Sequence, residues 1–195
     1  AYLTDRVDFA TFSGHKFHAV RGVGFVYKKA GKKITPLLTG GGQEKDFRST
    51  TENVAGIASM AKALRLVTDK EAFSLPKIAK MKKIIFDELA KYEGITIFSG
   101  KGEDFAPNIL TFGIKGVRGE VIVHAFEEHQ IYISTTSACS SKAGKPAGTL
   151  ISMGVPTKLA QTAVRISLDD DNDMGQVEQF LTIFKQVYAK TQKVR

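Results

Sequence analysis

Two periodicities alternate along this chain. Short apolar runs of strand character are separated by stretches in which apolar residues return every three or four positions, and the junctions are glycine, proline or polar clusters. Val7 to Phe12 reads as a buried strand that runs into Ser13-Gly14-His15-Lys16. Gly22 to Tyr27 reads as its hairpin-like neighbour, closed by Lys28-Lys29 and a turn at Ala30-Gly31. A short extended piece, Ile34 to Leu38, precedes the glycine run Gly40-Gly41-Gly42, which breaks regular structure. From Glu52 to Val67, the positions Val54, Ile57, Ala58, Ala61 and Leu64 predict a helix beginning close to Arg48-Ser49-Thr50-Thr51.

Thr68 to Ser74 reads as a boundary. Ser74 suits an N-cap and Pro76 a first turn, so a second helix is expected, with Ile78, Met81, Ile85, Leu89 and Tyr92 on one face, lysines on the other and Gly94 at its end. Ile95 to Phe98 and Asn108 to Ile114 read as strands, Gly119 to His129 as a helix and Ile131 to Ile133 as a short strand. Ser134 to Gly148 is small and polar throughout and reads as a loop containing Cys139. Thr149 to Met153 follows as a short helix and Ala163 to Leu168 as a strand. Asp173 and Gln176 have capping-box spacing before a last helix through Val177, Phe180, Leu181, Phe184 and Val187. The pattern therefore divides into residues 1–73 and 74–195, the second part being of the α+β kind.

Composition narrows the classes. With 43% hydrophobic and 25% charged residues in 195, the chain is an ordinary globular one. Its net charge of +8 would permit nucleic-acid binding, but the lysines are spread along helix faces with no arginine-rich block, so no direct nucleic-acid partner is expected. The single cysteine excludes an intrachain disulfide and fits a reducing, cytoplasmic compartment. No apolar run is long enough to span a bilayer, so no membrane association is expected.

Chemistry concentrates at a few positions. A lysine ending a buried strand either favours its neutral amine or is used covalently, and the neutral amine forms Schiff bases with aldehydes such as pyridoxal phosphate. Ser13 and His15 flank Lys16 with a hydroxyl and a ring N–H that suit phosphate oxygens. Thr51 stands at the head of a predicted helix, another natural phosphate position. Cys139, among small polar residues and near Lys142, has the setting of a reactive thiol rather than of a buried one. Arg165 lies in an apolar strand and needs a partner, for which Asp169, Asp170 and Asp171 are close in sequence. No motif matches His18, His124 or His129, which read as surface residues, and no metal-ligand set is discernible.

The segment SGHKFHAVRGVGFVY, Ser13 to Tyr27, resembles the cofactor-lysine segment of the fold-type I, class V aminotransferases, and specifically of the NifS-like cysteine desulfurases. Gly40 to Glu44, Arg48 to Asn53 and Ser134 to Ser141 match further motifs in the family's order and at about its spacing, so the resemblance covers essentially the whole chain. Family members carry roughly another domain upstream of the lysine, and the chain is expected to be a C-terminal half. The resemblance implies an α/β, pyridoxal-phosphate-dependent transferase-like fold, with residues 1–73 ending the large cofactor domain and 74–195 forming the small one.

It also implies roles. Lys16 would hold pyridoxal 5'-phosphate and act as general base, while Ser13 and His15 contact its phosphate. Thr51 would reach the phosphate of a partner subunit, implying a homodimer; Thr50 stands where relatives commonly have glycine. Arg165 would clamp the α-carboxylate of L-cysteine, although the acidic run after it departs from the family's pattern. Cys139 would take the substrate sulfur as a persulfide, release L-alanine and pass the sulfur to an acceptor protein, either a scaffold for iron–sulfur clusters or a tRNA-thiolation enzyme. The alternatives are a selenocysteine lyase, a small-molecule aminotransferase, or a non-catalytic binding module. With other family cofactor contacts lying upstream, the chain alone is expected to bind the cofactor weakly.

Overall fold

The computed structural model describes residues 3–102, 104–135 and 148–193. The chain divides into two units, Ala1–Ala72 and Phe73–Arg195. Both mix helix and sheet.

The first unit is built on an antiparallel ribbon of β1 (Phe9–Ser13) and β2 (Gly24–Lys28), in register from Phe9↔Lys28 to Ser13↔Gly24. The cross-strand pair Phe12 and Phe25 stacks with ring centroids 4.6 Å apart. β1 is not the buried strand its sequence suggests: its residues alternate exposed and half-buried, because a two-stranded ribbon here has only one covered face. Ala19, Met60 and Ala63 are the buried apolar cluster of this unit, with Phe17, Val23 and Phe25 packed against it.

Helix α1 (Val54–Leu89) starts later than expected, because the Asn53 side chain is its cap and accepts the Gly56 N–H at 3.0 Å. The helix does not stop at Thr68 to Ser74. Lys70, Glu71, Ala72 and Leu75 favour helix, and the Thr68 hydroxyl bonds back to the Leu64 carbonyl at 2.8 Å. Pro76 lies inside α1, and its missing N–H forfeits one bond to the Ala72 carbonyl without ending the helix. Near the start of α1, Met60 and Ala63 are buried, while the periodic positions Val54, Ile57 and Leu64 are exposed.

The second unit is a four-stranded antiparallel sheet in the order β3-β4-β6-β5, comprising β3 (Ile95–Ile97), β4 (Ile109–Ile114), β6 (Ala163–Ser167) and β5 (Ser134–Thr135). Leu110, Phe112, Ile114, Val164 and Ile166 line one face. Against them pack Ile78, Met81, Ile85 and Leu89 of α1, Ile122 and Phe126 of α2 (Gly119–Glu127), and Val177, Phe180, Phe184 and Val187 of α5 (Met174–Lys193). Phe126 and Phe180 stack at 5.1 Å. Two short helices, α3 (Gly148–Ser152) and α4 (Thr157–Ala160), supply Leu150 and Ala160 to a smaller cluster with Ala163.

The Asp173–Gln176 box forms as expected. The Gln176 N–H donates to Asp173 Oδ1 at 2.9 Å, and the Asp173 N–H donates to Gln176 Oε1 at 3.3 Å. Ile131 to Ile133 is not a strand. It packs Ile131 and Ile133 against the core, and pairing begins only at Ser134, so Ser134 and Thr135 belong to the sheet edge rather than to the loop. No described helix is long and apolar enough to cross a membrane.

Candidate active site

Ser13 closes β1, and the chain turns at once through a 3₁₀ turn, Gly14–Phe17, that ends on His18 at φ 70°. The Gly14 N–H donates to the Val23 carbonyl at 2.9 Å. A Cβ at Gly14 would stand 2.9 Å from that same oxygen, so only glycine lets the turn lie this close to the neighbouring strand. Lys16 is exposed on this turn, as are Ser13 and His15. The expectation of a lysine at the end of a buried strand is therefore corrected, and with it the argument that burial would hold its amine neutral.

What the turn does provide is an uncommitted set. Among the described residues, the Ser13 hydroxyl, the His15 ring and the Lys16 amine make no side-chain hydrogen bond or ion pair. A hydroxyl, an imidazole and a primary amine held on one sharp turn fit a ligand that carries both a phosphate and an aldehyde.

The glycine-run segment folds tightly. Glu44, Lys45 and Asp46 have φ of 50°, 56° and 66°, and Thr50 has φ 101°. Ser49 is buried, with its N–H donating to the Leu38 carbonyl at 3.1 Å. The Thr50 N–H reaches Gln43 Oε1 at 3.4 Å. Thr51 is exposed and precedes the Asn53 cap, so it lies just outside α1 rather than in its first turn. Its hydroxyl has no hydrogen-bond partner among the described residues.

In the second unit Arg165 lies on β6, opposite Thr111 of β4 on one side and Ser134 of β5 on the other. Cross-strand partners share a face, and side chains alternate along a strand. Thr111, Arg165 and Ser134 therefore form a polar row on the face opposite the one that carries Phe112 and Val164. Arg165 Nε is buried without a hydrogen-bond partner. Among the described residues the guanidinium makes no ion pair, so the sequence-adjacent Asp169, Asp170 and Asp171 do not supply its counter-charge.

Sequence reasoning missed Thr111 and Ser134 as neighbours of Arg165; a threonine among Ile109, Leu110 and Phe112 was the available signal. His129 is half-buried with Nε2 unpaired, rather than a surface residue. Cys139 and Lys142 lie outside the described residues. The Lys16 set belongs to the first unit and Arg165 to the second.

The Aminotransferase class-V family matches residues 4–180. The chain belongs to this family. Among its relatives, a NifS/IcsS protein homolog of Lactobacillus delbrueckii subsp. bulgaricus is 47% identical over 192 residues, covering 98% of this chain and 50% of that protein. A cysteine desulfurase IscS of Dictyoglomus turgidum is 35% identical over 162 residues, covering 83% of this chain and 41% of that one. Among solved structures, a NifS-like protein from Rickettsia africae superposes with a TM-score of 0.81 at 32% identity, covering 94% of this chain and 48% of that one. The chain thus spans about half the length of the curated relatives it matches. The class-V membership and the NifS-like neighbours agree with the α/β, fold-type I expectation.

Proposed function

We propose that this class-V chain carries the lysine and the thiol of a cysteine desulfurase. The enzyme would remove sulfur from L-cysteine, form L-alanine and load the sulfur on Cys139. The observation that carries this reading is that Ser13, His15, Lys16, Thr51 and Arg165 all present side chains with no committed partner among the described residues. That is a costly arrangement for a half-buried arginine unless a ligand completes it.

Pyridoxal 5'-phosphate is the cofactor that these residues fit, and when bound it supplies the electron sink for a carbanion at the substrate Cα. Lys16 holds it covalently, and Ser13 and His15 donate to its phosphate. Thr51 adds a hydroxyl donor from the partner subunit of a homodimer. Arg165 binds the substrate carboxylate as a planar fork, and Thr111 and Ser134 are its cross-strand neighbours on either side. The Lys16 amine, once free, takes the Cα proton. The Cys139 thiolate attacks the substrate sulfur, the Cβ–S bond breaks, and the thiol becomes a persulfide. An acceptor protein, either an iron–sulfur scaffold or a tRNA-thiolation enzyme, then takes the terminal sulfur. The setting is cytoplasmic.

The first unit supports assignment to part of a larger cofactor domain. Its buried apolar cluster is small, while Leu37 is 95% and Val54 72% exposed. The second unit corresponds to the small domain.

The test is the visible spectrum of the full-length enzyme with pyridoxal phosphate, before and after L-cysteine. The expected result is a cofactor band that Lys16→Ala abolishes, with sulfide release that Cys139→Ser abolishes while the band remains. Full sulfide release from the Cys139→Ser enzyme would overturn the desulfurase reading in favour of another class-V activity.

A further inference from the structure

Lys82 is a buried lysine that the proposed chemistry does not use. It lies on α1 in the second unit and is only 6% exposed. Its ammonium makes one hydrogen bond, to the Ala106 carbonyl at 2.8 Å, and has no carboxylate partner among the described residues. Burial pushes its pKa below the usual lysine value. An ammonium has three donors, and a buried charge without a counter-ion is expensive.

The surroundings say what would complete it. Lys82 lines a groove of about 680 Å³ together with Leu75, Ala79, Phe86, Phe105 and Pro107. That volume lies in the range of small-molecule sites. Lys83 and Lys101 stand at the same groove, and both are held by Asp87, at 2.5 Å each. Lys101 also lies over the Phe86 ring, 4.5 Å from its centroid. One carboxylate is thus shared by two rim ammoniums, and neither of its oxygens reaches Lys82. Among the described residues, the groove combines an aromatic and aliphatic lining with three lysines and the single carboxylate of Asp87.

We propose that this groove is a binding site for a small carboxylic acid bearing an aromatic or branched apolar group. The carboxylate would pair with Lys82, and the apolar part would lie between Phe86, Phe105 and Pro107. The site is confined to the second unit and does not depend on the desulfurase reading.

The probes are phenylacetate, phenylacetamide, acetate and an acidic peptide with an internal Phe-Asp-Glu segment, titrated into the 195-residue chain by isothermal calorimetry. Phenylacetate should bind saturably. Phenylacetamide lacks the charge and acetate lacks the ring, and each should bind at least tenfold more weakly. Lys82→Met, which keeps an apolar stem of similar length, should lose at least tenfold of phenylacetate affinity, and Phe105→Ala several-fold. Equal binding of acid and amide would overturn the proposal even if neither variant folds. So would an affinity unchanged in a folded Lys82→Met chain, or binding of the peptide without binding of phenylacetate.

Discussion

Ser134 stands directly opposite Arg165 across the β5–β6 ladder, and Thr111 stands opposite the same arginine from β4. Cys139 follows in the chain four residues after Thr135, the other residue of β5. In the proposed reaction the cysteine bound by Arg165 would pass its sulfur to Cys139.

Replacing Arg165 separates a substrate clamp from a structural charge. In the full-length enzyme, Arg165→Lys is expected to lower kcat/KM for L-cysteine by roughly tenfold to a hundredfold, mostly through KM, because one point charge replaces a two-pronged contact. Arg165→Met is expected to be neutral or slightly stabilising in thermal unfolding, since Arg165 has no hydrogen-bond or ion-pair partner among the described residues to lose. A clearly destabilised Arg165→Met enzyme with an unchanged KM would make the residue structural.

Thr50 carries φ 101°, where a β-branched residue is strained by about 1–3 kcal/mol. Thr50→Gly removes the strain and adds unfolded-state entropy of about 0.5–1 kcal/mol. A net gain of about 1 kcal/mol is expected in chemical denaturation, with the Gln43 contact to the residue 50 N–H retained.

At Asp173, the capping box predicts a loss. Asp173→Ala should cost about 1 kcal/mol in urea unfolding. Asp173→Asn, which keeps a capping oxygen, should recover most of it.

Asp87 gives a pH signature. Hydrogen bonds from Lys101 first, and then Lys83, lower its pKa from 3.8 to about 2. A depressed carboxylate pKa contributes stability that is present above the unfolded value and lost as pH falls through the folded one. The contribution should therefore fade between pH 4 and 2. Denaturant midpoints measured across that window should fall less for Asp87→Asn than for the unaltered chain.

Local signals in the sequence proved readable where they were self-contained. The Asp173–Gln176 box needs only neighbouring backbone, and the Ser13–Lys16 turn is announced by its own glycine. Ser74 and Pro76 misled, because a serine and a proline that would open a helix are also tolerated inside one when strong helix formers flank them. The burial of β1 depended on how many strands would lie beside it, which no local pattern states. Val54 and Leu64 have helical period yet stay exposed, since period reports that a face exists and not what covers it. Lys82 passed as one lysine among many. Its spacing of four from Ile78 and three from Ile85 already put it at the border of the buried stripe.

Helix α1 is one continuous element whose two ends are secured very differently. Toward Leu89 it is sealed into a sixteen-residue apolar cluster, while near Val54 it meets a cluster of three among the described residues. Amide hydrogen exchange should resolve this as a gradient along a single helix. Amides near Ile85 would exchange only with opening of the second unit, and those before Phe73 would exchange through cheap local fraying. The helix would then report two stabilities from one hydrogen-bond ladder.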